Sequence, residues 1–277
     1  MRSHLPATAN PLTFNSLTRT CLIAASLLIA TAKTAHAGVV YSDTFDTDPV
    51  LSSTQAAGTY YTDRYAPSGF TSESFMGDNR LALTLSSSDG ANNRPAGFSG
   101  AFYNTQGRKY DVFGATTISI DMYIDQAFES DPNRVAGLWG TAVDSGNNNI
   151  VQYPIVEFAG GAFQIWDGGS FQSLGLPTGF SYGSFANLAF TIDPTTNQTH
   201  FSVNGSLTQT IAASGSVAFR EVIIQGYNTA DGIDRTIYFD NLVASNTQDV
   251  PAPATLSLMA LSLVLMGWTR RTRLARR

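Results

Sequence analysis

Cysteine is nearly missing from the 277 residues, the one copy being Cys21. A chain with a single thiol forms no internal disulfide, so packing must supply its stability in any redox compartment. Histidine is scarce as well, at three residues, and of these only His200 lies between residues 38 and 249. One histidine with no cysteine beside it makes a poor zinc or iron site, because those metals favour nitrogen and sulfur donors. Charged residues are only 13% of the chain, and no part of residues 38–249 shows convincing helical periodicity. That stretch holds all 21 Asp and Glu but only eight Lys and Arg, a net charge of −13. So acidic a body excludes nucleic acid as a natural partner, since phosphates are bound by cations. It should also repel an acidic polysaccharide unless cations bridge the two, and it is compatible with neutral glycans or calcium.

What is there falls into three segments: 1–37, 38–249 and 250–277. The first has the parts of a cleaved secretory signal. Arg2 and Arg19 precede an apolar run over residues 21–32, and Ala35 and Ala37 supply small residues before a cut ahead of Gly38. This predicts export by the general secretion machinery and removes Cys21. The 212 residues that follow fit a single all-β domain.

The last segment opens with Val250, Pro251, Ala252 and Pro253. Both prolines fix φ and push their predecessors out of the helical region, so a helix starts only after them. Residues 254–268 are apolar apart from Thr255, Ser257 and Ser262. Residues 251–269 as a helix would reach about 28 Å, close to the hydrocarbon thickness of about 30 Å. Arg270, Arg271, Arg273, Arg276 and Arg277 follow, a cluster that reads as a cytoplasmic stop. This order of proline motif, apolar helix and terminal arginines resembles the PEP-CTERM sorting signal of Gram-negative bacteria, with Ala252 standing where that family usually has glutamate. The resemblance implies recognition by an exosortase, anchoring in the inner membrane through the C-terminal helix, and removal of the tail on the way to the cell surface or extracellular matrix.

Within the body the hydrophobic period is two, with Gly, Asn, Asp, Ser and Pro between short runs, as strands and tight turns require. Strands are expected at 39–45, 81–85, 118–124, 135–143, 150–158, 162–166, 188–192, 200–203, 217–225 and 236–244. Residues 188–203 read as a hairpin closed through Asp193-Pro194-Thr195-Thr196-Asn197, and Asn204-Gly205 suits a type I′ turn. Many strands and no helices argue a two-sheet sandwich. Tyr41-Ser42-Asp43-Thr44-Phe45-Asp46, Phe201-Ser202-Val203-Asn204-Gly205 and Ile237-Tyr238-Phe239-Asp240-Asn241-Leu242 resemble the ends and one hairpin of concanavalin A-like, or laminin-G-like, jelly rolls. That resemblance implies the fold and a tendency to bind glycans or surfaces.

Three arrangements bear on chemistry. Gly179-Phe180-Ser181-Tyr182-Gly183 matches a nucleophile elbow, with Asp193 and His200 following in triad order. An elbow needs a helix after its serine, and the sequence there reads as strand. Asp121 and Asp125 share a strand face, but four residues put their backbones about 13 Å apart, beyond the roughly 5–9.5 Å of glycosidase carboxylates. A partner from another strand, such as Glu157, would be needed. Third, Asp121, Tyr123, Trp139, Tyr153 and Trp166 are candidates for a sugar-binding face, although aromatics of a sandwich usually fill its core. The loop at residues 144–149 suits calcium, sugar hydroxyls or plain solvent. Asp43 and Asp240, on the first and last predicted strands, are candidate ligands of a structural calcium ion that the jelly-roll resemblance suggests. The expectation is a non-enzymatic surface or matrix protein that contacts extracellular polysaccharide. A glycoside hydrolase or lyase on the same sandwich and a coat protein without ligand are the alternatives.

Overall fold

The computed structural model describes residues 38–90, 104–146, 148–229 and 231–246. The expected signal with Ala35 and Ala37, and the tail from Val250 to the terminal arginines, lie outside them. Among the described residues no helix is long and apolar enough to cross a membrane. Short 3₁₀ turns, among them Ser87–Asp89 and Gln126–Glu129, interrupt the strands and loops.

The strands are β1 (Gly38–Asp43), β2 (Leu51–Ser52), β3 (Tyr60–Thr62), β4 (Gly69–Phe75), β5 (Asp78–Leu85), β6 (Thr105–Ala115), β7 (Thr117–Ile124), β8 (Arg134–Val143) and β9 (Ile150–Gln152). After them come β10 (Ile155–Ala159), β11 (Ala162–Trp166), β12 (Phe171–Gly175), β13 (Ser184–Asp193), β14 (Gln198–Val203), β15 (Leu207–Ala212), β16 (Ala218–Tyr227) and β17 (Arg235–Asn246). An eight-stranded sheet runs β15-β14-β13-β7-β17-β5-β4, with β1 also on β17. The nine-stranded sheet runs β12-β11-β10-β8-β16-β6-β3-β2, with β9 also on β8. Among the described strands only the short β2–β3 pair is parallel. Gly38–Thr247 forms one compact unit holding both sheets and the core between them.

Alternation places the side chains. On β7, Ile118, Ile120, Met122 and Ile124 are buried, while Ser119, Asp121 and Tyr123 point outward from the eight-stranded sheet. The expected hairpin forms: Leu188 faces Val203, Phe190 faces Phe201, and Asp193 Oδ1 accepts from the Thr195 amide at 2.9 Å. Asn204 and Gly205 both have positive φ, 51° and 63°, as the type I′ turn demands. The inner faces meet in one apolar core that includes Phe158, Phe190, Phe201, Phe219 and Phe239, each such ring contributing roughly 1.5–3 kcal/mol by burial.

Residues 150–158, expected as one strand, are two. Pro154 cannot donate to the ladder, so the run breaks into β9 and β10, both paired to β8. Alternation fails to mark β6, whose outward positions carry Gly107, Lys109 and Asp111. β8 and β16 are buried along almost their whole length on both faces. Something other than the second sheet therefore covers the outside of the nine-stranded sheet at its centre.

Candidate functional site

That cover is a row of side chains crossing five strands. The registers align Ile155 of β10 with Trp139 of β8, Trp139 with Ile223 of β16, Ile223 with Lys109 of β6, and Lys109 with Tyr61 of β3. Trp139, Ile155 and Ile223 form an apolar cluster separate from the main core, with Trp166 and Phe171 packed edge to face beside it at 5.1 Å. Tyr153, on the proline break between β9 and β10, stands half exposed at the rim. Together they border a groove of about 480 Å³.

Cations lie over the aromatic floor. The Arg64 guanidinium sits 4.8 Å from the Trp139 ring centre, and that of Arg134 lies 4.7 Å from both Phe171 and Tyr227. The quadrupoles of these rings attract the guanidinium charge and hold it in place. Each cation also has a carboxylate beneath it. Asp63 pairs with Arg64 at 2.7 Å and Lys109 at 3.1 Å. Arg134 makes a fork to both oxygens of Glu157, 2.7 Å each, and Gln164 donates to the same carboxylate at 2.6 Å. Gly137 faces Glu157 and Gly107 faces Gln225, and a side chain at either glycine would strike the neighbouring strand's backbone at 2.4 Å. The two glycines let those strands close up beneath the groove. Trp139 Nε1 is buried with no acceptor among the described residues, a cost of about 1–3 kcal/mol.

Beyond Tyr61 lies the nearest carboxylate pair on this face. Asp111 and Glu221 are cross-strand partners. The Tyr61 hydroxyl lies 2.8 Å from Asp111 Oδ1 and 3.3 Å from Glu221 Oε1. Burial, then the hydrogen bond to Asp111 and the charge of Glu221, push the Tyr61 phenol far above the ordinary tyrosine range. It therefore stays a proton donor between two acids. Glu221 also accepts from Thr141 Oγ1 and pairs with Arg220 at 3.1 Å, and Gln55 covers Asp111.

The sandwich separates the five residues expected to share a sugar face. Trp139, Tyr153 and Trp166 line the groove on the nine-stranded sheet, whereas Asp121 and Tyr123 lie on the outer face of the other sheet. Period two says which residues share a face, but not which of two outward faces a strand contributes to. For the same reason Glu157 cannot complete a pair with Asp121. Asp121 instead accepts from Asn187 at 2.8 Å and Asn241 at 2.9 Å. Asp125 caps the 3₁₀ turn through the Ala127 amide at 2.8 Å. Ser181 precedes β13 and Asp193 ends it, so that strand alone holds them roughly 30 Å apart. His200 bonds Thr210 across β14 and β15 at 2.9 Å. No triad forms.

The calcium candidates are engaged otherwise. Asp240 is buried in an ion pair with Arg80, and its Oδ1 accepts from the Asn241 amide at 2.7 Å. Asp43 takes the hydroxyls of Tyr41 and Tyr60 at 3.0 and 2.9 Å and the Phe45 amide at 2.8 Å. Among the described residues no group of three or more His, Cys, Asp and Glu is gathered for a metal. A second cavity, about 510 Å³ beside Asp125 and Asp131, is spanned by Arg235, which pairs with Asp131 and Asp231.

Arg64, Lys109, Arg134 and Phe171 do not stand out in the sequence. One signal was present: Tyr153, Ile155 and Glu157 share a parity opposite to buried Val156 and Phe158, which puts an aliphatic residue on a polar face.

No family model and no curated protein matches the chain. Among solved structures, a Clostridium perfringens endo-β-galactosidase that releases GlcNAcα1-4Gal is similar, at 10% identity and a TM-score of 0.50 over 79% of this chain and 65% of that one. The catalytic domain of a Thermotoga petrophila laminarinase aligns at 11% identity and TM-score 0.47, over 77% of this chain and 99% of that one. A sialidase aligns at 13% identity and TM-score 0.44, over 69% of this chain. The chain spans 17% of the sialidase and 65% of the endo-β-galactosidase, less than two thirds of either. At such identities the likeness to the endo-β-galactosidase shows the fold alone, an all-β jelly-roll sandwich.

Proposed function

We propose that this is an exported surface or matrix protein whose jelly-roll body binds glycans without turning them over. The observation that carries the reading is the aromatic-floored groove on the outside of the nine-stranded sheet. Pyranose rings present flat apolar faces, and Tyr153, Trp166 and Phe171 offer flat partners beside hydrogen-bonding charges. A glycan array followed by calorimetric titration of the Gly38–Thr247 unit tests this. Saturable binding should be lost in Tyr153→Ala and Trp166→Ala while both variants melt near the parent. An array without ligands, or undiminished binding by both variants, refutes the groove.

One observation favours a second reading, a glycoside hydrolase. Asp111 and Glu221 share one phenol, at 2.8 and 3.3 Å, so their near oxygens are at most about 6 Å apart, against roughly 5–5.5 Å for a retaining glycosidase pair. Release of reducing sugar that disappears in Glu221→Gln would replace the binding module with an enzyme.

The terminal segments supply the address. On this proposal residues 1–37 direct export, the helix after Pro253 holds the chain in the inner membrane with Arg270 to Arg277 cytoplasmic, and an exosortase removes the tail. An alkaline phosphatase fusion after Arg277 should be inactive. Surface material should lack peptides from Leu256 onward; their recovery would leave an uncleaved anchor.

A further inference from the structure

We infer that the groove takes an anionic glycan, specifically one whose sugar rings carry carboxylates, although the body as a whole is strongly acidic. The inference rests on the glycan-binding reading and narrows it to a ligand class. Its ground is the vertical order of the ion pairs. On the groove face, the side chains of Arg64, Lys109, Arg134 and Arg220 are 14–27% exposed, while their partners Asp63, Glu157 and Glu221 are 2–5% exposed. A ligand arriving here meets the cations, with the acids beneath them. Away from the groove a carboxylate is outermost in both networks: Asp78 is far more exposed than Arg80, although Arg80 in turn covers buried Asp240, and Asp231 is more exposed than Arg235.

The residues around the groove itself repeat the bias, with three cations, Arg64, Lys109 and Arg134, against Asp63. An electropositive cleft in an acidic surface focuses an anion to that one place. Arg64 and Arg134 are positioned by the rings below them, so presenting them to a ligand costs little ordering. A guanidinium recognises a carboxylate through paired N–H donors, while the aromatic rim suits the sugar ring that carries it. A uronate unit has both features in one residue. Trp139 Nε1 adds an unmet donor in the floor, which a sugar oxygen would satisfy if Arg64 shifts toward the bound anion.

The test titrates the Gly38–Thr247 unit with an oligogalacturonate, its methyl ester, and a sulfated galactan fragment. The ester keeps the backbone and removes the charge. Binding of the uronate at least about tenfold tighter than the ester, weakened by salt, supports the inference, tenfold being the lower end for a hydrogen bond to a charged group. Lys109→Gln, which leaves Asp63 paired with Arg64, should lose about the same factor for the uronate and nothing for the ester. Equal affinity for uronate and ester overturns the anionic assignment and leaves glycan binding standing. Preference for the sulfated fragment overturns the carboxylate. Silence toward all three, in a protein that binds other sugars on the array, also overturns the inference. Silence toward every sugar takes the parent reading with it.

Discussion

Gly137→Ala adds one methyl group at the centre of the nine-stranded sheet, and the surroundings leave it nowhere to go. A Cβ built there would lie 2.4 Å from the Val156 carbonyl oxygen, 2.4 Å from Glu157 Cβ and 2.6 Å from Glu157 Cα. The oxygen and the Cα belong to the backbone of β10, so no rotamer change relieves the contact and the β8–β10 ladder has to open. Overpacking of this kind costs about 1–3 kcal/mol and sometimes more. Because two of the three atoms struck are backbone of β10, we place this case at the top, about 3 kcal/mol, which for a domain of this size lowers Tm by about 6–12 °C. Gly146→Ala is the matched control, since nothing lies within 4 Å of its added carbon. That variant should stay within about 0.5 kcal/mol of the parent. Urea denaturation and thermal melts of the Gly38–Thr247 unit give both numbers. If the two variants melt together, the close approach of β8 and β10 does not exist, and the placing of Glu157 under Arg134 loses its support. The groove should weaken too, because Arg134 depends on a Glu157 that opposes the new methyl.

Removing Arg80 with Arg80→Ala strands buried Asp240 beside its cross-strand neighbour Asp121, and loss of about 3–5 kcal/mol is expected in denaturant melts. Because that arginine already neutralises Asp240, the Tm of the unmodified body should not move with calcium or chelator; a rise with calcium would restore the metal link between Asp43 and Asp240. The Asp231 carboxyl is held well below the usual range, chiefly by its hydrogen bond from Arg235. A depressed folded pKa gives stability that is complete above the unfolded value of about 3.9 and is lost as pH falls through the folded one. Asp231→Asn should therefore melt lower than the parent at pH 7 and draw level with it in strong acid, and equal melts at pH 7 would refute the pairing. Burial pushes the phenols of Tyr41 and Tyr60 far above their ordinary range, with Asp43 adding to both. A raised folded pKa gives stability that is present below the unfolded value near 10 and is lost as pH rises through the folded one. Ultraviolet titration should show tyrosines that ionise only as the body unfolds in alkali, and complete reversible ionisation of the folded body near pH 10 would contradict the Asp43 cluster.

Local pattern was enough to give the class of the body and much of its strand list. Period two over Ile118 to Ile124 and over Leu188 to Ile192 is a backbone property, and Asp193 and Asn204-Gly205 carry their turn chemistry within a few residues. The break at Tyr153-Pro154 has a local cause as well, the missing amide of proline, but the period-two reading ran one strand through it. The address proposed for the tail likewise rests on a local pattern, proline, apolar length and arginine in order. Which strands are neighbours follows from the packed fold. Parity put Asp121 with Tyr123, and Tyr153 with Ile155 and Glu157, but the pairing of β8 with β10 and β16 sent the two sets to opposite outer faces. β6 and the short β3 bring Lys109, Tyr61 and Asp63 to the groove from strands that alternation does not mark, since charged residues and Gly107 occupy their outward positions. The order of the Arg64–Asp63 and Arg134–Glu157 pairs, cation above and carboxylate below, goes with packing of the two guanidinium groups on Trp139 and Phe171, and no local pattern encodes it. A site assembled across five strands depends on long-range registers, and those are set by the sum of the core rather than by any one stretch of chain.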